Sequence, residues 1–406
     1  MQVHDPDGSV LLTSPEVGHL LTVAVQHAGG VLQSWHLDHV DANPQRSTTA
    51  TYIAQVEWPH GVRQELLGVS ARAGGLGRTD ERAAIFADGD REVAVWIYPR
   101  DPDLPGLARA AYPTEMAAVL NEYRVFPHPV GVDQLRLDMI GYRPRRRAVL
   151  KCTVSAPPRV LYVKVLREPL FQTIKTRHEL LLAAGVPAPA VVAATSDHLL
   201  VLDELPGRPL ARAIFDDTDP TTAERLIHVL DAMPSSVAQL ERRPPWSDAV
   251  GHYARMVSQA LPPLQPRLEW LADRITEGLA GVPEGNEPTH GDFHEGQIHV
   301  HNGLVCGILD IDTIGPGRRA DDLACLVAHL STVQRMNARQ AARVHHLLRT
   351  WVPVFDSRVD PTELRLRAAA VIISLATGPY RSQEANWERE THQIVDAAEA
   401  LVRQVV

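Results

Sequence analysis

Residues 298–310 constrain this chain more than any other stretch. Ile298 to Val300 and Leu304 to Leu309 are β-type runs on either side of Asn302-Gly303. That dipeptide suits the positive backbone angles of a tight hairpin turn. The second run delivers Asp310 to the end where the first begins. Just upstream, His290-Gly291-Asp292 opens a short loop, and Gln297 follows five residues after Asp292. Asp292, Gln297 and Asp310 therefore converge at one end of a two-stranded ribbon. Two carboxylates and an amide oxygen suit a hard cation such as Mg2+, which takes a few oxygen ligands and completes its shell with phosphate oxygens. One carboxylate is left to orient a hydroxyl nucleophile. The bland alternative is a surface hairpin with incidental acids.

An Asp five residues before an amide, with a second Asp downstream, is the order of a kinase catalytic loop. Here His290-Gly291-Asp292 stands where protein kinases carry His-Arg-Asp. That head, with Phe293-His294-Glu295-Gly296-Gln297 and Ile308-Leu309-Asp310-Ile311-Asp312, resembles the aminoglycoside phosphotransferase family of small-molecule kinases. The resemblance implies an α+β, bilobal protein-kinase-like fold with a small antiparallel N-lobe and a mostly helical C-lobe. It implies ATP and Mg2+ as cofactors, Asp292 as catalytic base, and Asp310 and Gln297 on the metal. His290 would brace the loop, as would Asp322 ahead of Leu323-Ala324. Gln297 departs from the Asn of most members. With the N-terminal extension, it is similar to the maltokinase and bacterial glucosamine kinase branch.

Upstream, Leu135 to Ile140, Ala148 to Val154 and Arg159 to Leu166 read as strands, and Phe171 to Ala184 as a helix. Lys164 lies inside an apolar strand, where a lysine needs a reason. One reading places it on the α/β-phosphates of ATP with Glu179 as its acidic partner; the other is a snorkelling lysine on an edge strand. The turn Gly141 to Arg147 has one glycine and four arginines, and Arg145 is its candidate for a phosphate contact. Leu202 to Leu210 reads as the inter-lobe hinge, with Asp203, Glu204 and Leu205 offering backbone to an adenine edge.

Three parts follow: a cap over residues 1–130, a nucleotide lobe over 131–205, and a helical lobe over 206–406. The cap contains strands at Val31 to Leu37, Thr48 to Val56, Val62 to Ser70 and Glu92 to Tyr98, a glycine break at Gly74 to Gly77, and a helix from Ala110 to Tyr123. A weak repeat at an offset of one hundred residues relates Leu37-Asp38, Pro44 and Arg46 to Leu137-Asp138, Pro144 and Arg146. Duplication of the nucleotide lobe and coincidence both remain open. From Leu210 onward, apart from the hairpin, apolar residues recur at helical spacing, including Ala223 to Leu240, Ala320 to Leu330 and Ala338 to Trp351. The loop Gly378 to Trp387 interrupts the last two helices. It supplies Arg381, Gln383, Glu384 and Trp387 as candidate acceptor contacts, with Asp312 near the metal; an ordinary helix–helix loop is the alternative. His290, His294, His299 and His301 lack the partners of a zinc site.

A net charge of −9 argues against a nucleic-acid partner. Three cysteines without metal or redox spacing indicate a reducing compartment, and no apolar run approaches a membrane span, so a cytoplasmic protein is expected. Three functions compete: a kinase for a sugar or amino sugar, an aminoglycoside-inactivating phosphotransferase, and a nucleotide-binding pseudokinase.

Overall fold

The computed structural model describes residues 5, 7–43, 46–73, 82–88, 91–332 and 337–405. Two compact units emerge: Met1–Thr173, Val191–Asp203 and Tyr380–Ala385 form the first, and Ile174–Ala190, Glu204–Pro379 and Asn386–Val406 the second.

The first unit holds two five-stranded antiparallel sheets. Helices α1 (Ser9–Thr13) and α2 (Val17–His27) precede β1 (Val31–Asn43), β2 (Ser47–Trp58), β3 (Gly61–Ala73), β4 (Ala84–Asp88) and β5 (Arg91–Ile97). Helices α3 (Leu107–Ala111) and α4 (Pro113–Glu122) precede β6 (Leu135–Arg143), β7 (Arg147–Ser155), β8 (Pro158–Leu166), β9 (Val191–Ala194) and β10 (Leu199–Asp203). The strand orders, β1-β2-β3-β5-β4 and β6-β7-β8-β10-β9, are the same. In each case the helix pair covers the sheet. Leu12, Leu21 and Val25 pack on the inner residues of β2, β3 and β5. Leu107, Met116 and Leu120 pack on Leu150, Cys152, Leu161 and Val163. The structure thus assigns α3 and α4, which lie inside the range read as the cap, to the core of the second sheet. The expected helix from Ala110 is split there, because Pro113 starts α4 and the preceding Tyr112 is extended. Gly74 to Gly77 and Pro44 lie outside the described residues.

Strand β7 shows how sequence sets burial. Its residues alternate, with Ala148, Leu150, Cys152 and Val154 buried and the others partly exposed. Strand β8 is buried more continuously and pairs with β7 on one side and β10 on the other. It is a central strand, so the edge-strand reading of Lys164 is corrected: the lysine faces Val149 and Leu200 across the ladders and is 6% exposed.

The second unit is mainly helical. It contains most of α5 (Glu168–Ala183), then α6 (Leu210–Ala213), α7 (Ala223–Asp231), α8 (Val250–Ala260), α9 (Gln265–Gly278), α10 (Arg319–Ser331), α11 (Ala338–Arg358), α12 (Pro361–Leu375), the first half of α13 (Gly378–Arg381), whose Tyr380 and Arg381 belong to the first unit, and α14 (Trp387–Val402). The run expected from Ala223 to Leu240 breaks after α7 at Pro234, which ends the helical hydrogen-bond ladder and leads into a 3-10 turn. Short strands β11 (Arg208–Pro209), β13 (Ile298–His301) and β14 (Leu304–Ile308) form one small sheet. Strands β12 (Glu287–Thr289) and β15 (Gly315–Gly317) pair antiparallel, so residues 290–314 form a loop clamped at its base. Phe293, Ile298, Ile308, Ile311 and Ile314 sink from that loop into the helical core. Burying a side chain of this size stabilises by roughly 1.5–3 kcal/mol, so five of them hold the loop firmly against the helices. Among the described residues, no helix is long and apolar enough to cross a membrane.

Candidate active site

The clamped loop is braced from beneath by α10. Asp322 is fully buried and accepts the His290 N–H at 2.9 Å and the Gly291 N–H at 2.8 Å. Arg319, one turn earlier on α10, pairs with it at 3.2 Å. Burial pushes the Asp322 carboxyl up, while Arg319, His290 and the two N–H donors pull it down. His290 is also buried; its Nε2 lies 2.8 Å from the Leu309 carbonyl, and its Nδ1 accepts the Asp292 N–H at 3.3 Å. These contacts give the ring an Nε2-protonated tautomer and tie Asp292 to the strand end that carries Asp310. Thr313 Oγ1 donates to the His290 carbonyl at 2.7 Å. Gly291 has φ +81°, and a Cβ there would lie 2.8 Å from the Thr313 carbonyl. Only glycine fits without strain.

Strand β14 ends at Ile308, and Asp310 follows in the left-handed conformation, φ 49° and ψ 47°. A non-glycine residue there is uncommon and aims the side chain where a continuing strand would not. Asp312 is 8% exposed, and its carbonyl accepts a hydrogen bond from the buried Arg177 of α5. Gln297 starts the ribbon: its N–H donates to His294, and its carbonyl accepts the Leu309 N–H at 2.7 Å.

His294 occupies the middle of this group. Its Nδ1 accepts the Gly296 N–H at 3.1 Å, and the Gln297 amide lies 3.1 Å from its Nε2. Since Nδ1 is an acceptor, Nε2 holds the proton of the neutral ring and the amide presents its oxygen to it. On its other side, the His294 ring stacks on His329 of α10, with centroids 4.1 Å apart and an interplanar angle of 7°. Burial lowers the His294 pKa, while Asp292 and Asp310 raise it. Burial and the neighbouring His294 lower His329 to about 3. Both carboxylates thus converge on one neutral imidazole pair. The Asp292, His294 and His329 donor atoms lie within 4.8 Å of one another. Parallel stacked rings cannot both aim a lone pair at one ion, however, and Gly296 occupies Nδ1. His299 bonds the Pro206 carbonyl through Nδ1 at 3.1 Å, and His301 is exposed, so neither joins the group.

Sequence reasoning missed three members. Glu295 is largely buried at its carboxyl, with Oε2 out of solvent and lacking a hydrogen-bond partner, and burial with repulsion from Asp292 pushes that carboxyl up to about 7. The Cys325 thiol lies 3.8 Å from Asp292 Oδ1, and burial with the nearby carboxylates pushes its pKa up, so it stays a thiol. His329 is the third. Asp322, Cys325 and His329 are spaced i, i+3, i+7, which places all three on one face of α10. That spacing was the available signal.

The remaining candidates are placed as follows. Lys164 lies buried in β8 of the first unit. Arg145 has its backbone N–H on Asp101 at 2.8 Å and its guanidinium on Asp103 at 2.9 Å. Asp203 takes two hydrogen bonds from Arg159, at 2.8 and 2.7 Å, and the unit boundary falls between it and Glu204. Leu205 is buried against Gly307. Glu179 forms an ion pair with Lys175 on its own helix at 2.9 Å. Arg381 pairs with Asp41 of β1 at 3.1 Å. The side chain of Gln383 donates to the Tyr380 carbonyl at 2.7 Å, closing a turn. Glu384 belongs to the first unit, and Trp387 opens α14 of the second.

The sequence model of a family described as "Phosphotransferase enzyme family" matches residues 161–366. No curated protein matches the chain significantly. Solved structures similar to it include a Plasmodium vivax ethanolamine kinase, 11% identical, covering 72% of this chain and 90% of that one with a TM-score of 0.47. A second is a thermostable mutant of aminoglycoside phosphotransferase APH(4)-Ia with AMP-PNP and hygromycin B, 14% identical, covering 71% and 98%, TM-score 0.49. A third is a choline kinase from Cryptosporidium parvum, 8% identical, covering 71% and 95%, TM-score 0.46.

Proposed function

Because the chain belongs to the phosphotransferase enzyme family and is therefore a phosphotransferase of the small-molecule kinase type, we propose that it moves the γ-phosphoryl group of ATP to a hydroxyl of a sugar or amino sugar. The observation that supports this most is the clamped loop, in which Asp322 and His290 fix Asp292 beside Gln297 and the left-handed Asp310. Asp292 orients the acceptor hydroxyl and takes its proton. A bond forms between the acceptor oxygen and the γ-phosphorus, the bond to the ADP oxygen breaks, and the proton passes from Asp292 to solvent. The Cys325 thiol occupies Oδ1 of Asp292, leaving Oδ2 for the hydroxyl. Lys164, buried in the central strand β8, takes the α/β-phosphates in this reading.

The donor set fits Mg2+, with Asp310 and Asp312 supplying carboxylate oxygens and Gln297 an amide oxygen. When bound, Mg2+ supplies charge neutralisation on the phosphates. The Gln297 amide lies 3.1 Å from His294 Nε2; with its oxygen turned to that N–H, as the ring's tautomer requires, ligation through the oxygen needs the amide to rotate. The buried Glu295 carboxyl close to Asp292 favours an amine-bearing acceptor, which keeps an aminoglycoside as the second reading.

The test is ATP consumption with Mg2+ across monosaccharides, amino sugars, maltose and aminoglycosides, with Asp292→Asn alongside. Turnover on one acceptor class, reduced roughly 10²–10⁴-fold in the variant, supports the reading. ATP binding without transfer to anything in the panel sinks it in favour of a pseudokinase.

A further inference from the structure

The first unit encloses a cavity of about 400 Å³ that the phosphotransfer reading does not use. It lies where α2 ends at His27, among the strand residues Trp58, Glu65 and Ile97, the segment Tyr98 to Arg100, and Tyr112. Every residue lining it belongs to the first unit. The volume falls in the roughly 300–1,000 Å³ range of small-molecule sites. The Trp58 indole is fixed in the wall. Its Nε1 donates to Glu65 Oε1 at 2.9 Å, and its six-membered ring lies against Gly30, where a Cβ would sit 3.0 Å from Cζ3. The half-buried Tyr98 ring meets Tyr142 edge-on, with centroids 5.5 Å apart. Burial and the neighbouring Tyr112 push the Tyr98 hydroxyl up to about 12, so it stays a donor. Among the described residues, that hydroxyl has no hydrogen-bond partner. Tyr112 is 53% exposed, in extended backbone ahead of α4. Trp96 also lines the cavity, but its indole is engaged elsewhere, packed on Gly68 and donating to Tyr142 at 2.8 Å.

Two charge classes fit this lining poorly. The Glu65 carboxylate in the wall opposes an anion, and the exposed Arg82 and Arg100 oppose an ammonium. A neutral ring with apolar faces and a polar edge suits it better. Aromatic side chains receive such faces, while a carboxylate, a phenol and a guanidinium bond the hydroxyls of the edge. We propose that the cavity bounded by Trp58, Glu65, Tyr98, Arg100 and Tyr112 is a binding site for a neutral saccharide of one or two rings, separate from phosphotransfer. Trp58 and Tyr112 take the ring faces. The Glu65 oxygen not bonded to Trp58, the Tyr98 hydroxyl and Arg100 take the hydroxyls. The cap strands β2, β3 and β5 then have a task of their own. The site uses residues of the first unit alone, so it holds whether or not a sugar is the phosphoryl acceptor. Two sources present the same chemistry: a free saccharide, and the end of a longer glycan.

The experiment is calorimetric titration of the full chain, without ATP, with methyl glucoside, maltose and maltotetraose. Wild type, Tyr112→Ala, Glu65→Gln and Asp292→Asn are compared, with thermal melts confirming that each is folded. Wild type is expected to show a binding event that Tyr112→Ala and Glu65→Gln each weaken about three- to tenfold and that Asp292→Asn leaves in place. Tyr112 is half-exposed, so its truncation spares the core and keeps the test valid if Glu65→Gln fails to fold. Tighter binding of maltotetraose than of maltose assigns the site to the end of a glycan, and equal binding assigns it to a free saccharide; either result supports it. No binding by wild type to any of the three, or affinity unchanged in the folded cap variants, overturns the site. Choline or succinate binding more tightly than the saccharides, with the same sensitivity to Tyr112→Ala, overturns the ligand class. Saccharide binding here with no phosphoryl transfer to any acceptor sinks the phosphotransfer reading and leaves this one standing, so the two fail separately.

Discussion

Asp322 illustrates how a residue without direct chemistry can control a site. It holds two loop N–H groups and a buried Arg319. Replacing it by Asn removes one of the two carboxylates paired with the buried Arg319, the other being Asp231 at 3.2 Å, so Asp322→Asn is expected to cost roughly 1–3 kcal/mol in denaturant unfolding. Glu295 gives a pH signature. Its folded pKa of about 7 lies above the ordinary 4.5, so the stability from its protonated form is full below about 4.5 and lost as pH rises through about 7. Glu295→Gln should therefore match wild type near pH 5 and exceed it at pH 8 by on the order of 3 kcal/mol, read from unfolding curves at both values. An equal difference at the two pH values would sink that account. Asp292 and Asp310 were legible as candidates because their spacing is a one-dimensional pattern. Glu295 was not, since a carboxylate beside the motif looks like a solvated charge until its burial is known.

At the level of elements, the hairpin and its clamp decide where the site stands. Asn302-Gly303 and the flanking β-type runs gave β13 and β14 directly, because that turn has few alternatives. The β12–β15 ladder was not legible: three-residue strands carry too little pattern, and Glu287 to Thr289 includes a proline. Gly291 tests the clamp. Its positive φ and the 2.8 Å approach of the Thr313 carbonyl mean that Gly291→Ala should destabilise by about 2 kcal/mol and displace Asp292, lowering kcat more than it raises the acceptor KM. A variant with wild-type unfolding and wild-type kcat would show that the loop has slack. The α10 face that carries Asp322, Cys325 and His329 was partly readable. Its helical period was evident, but which face met the loop depended on tertiary packing.

At the level of the whole molecule, the weak repeat gains a structural counterpart. Strands β1 and β6 end at Asn43 and Arg143, and β2 and β7 begin at Ser47 and Arg147, each pair one hundred residues apart. With identical strand orders and a covering helix pair in each half, we propose that the first unit arose by duplication. Sequence could only hint at this, because a sheet core accepts many apolar sets of similar volume. The two halves are also interlocked: Trp96 of β5 donates to the Tyr142 hydroxyl at 2.8 Å, and Tyr142 donates to Asp101 at 2.6 Å.

That order of strands has a consequence for biosynthesis. Within each half, β1 to β3 and β6 to β8 pair with the strand made immediately before, so these ladders need only short loops to close. The second unit instead needs α14, near the end of the chain, to cover α9 and α12. Folding on the ribosome is therefore expected to be two-stage, with the doubled sheet complete while the helices are still being translated. Nascent chains stalled after residue 250 should resist protease over residues 31–166. Protection that arrives only on release of the finished chain would show that the helical unit acts as a template for the sheets.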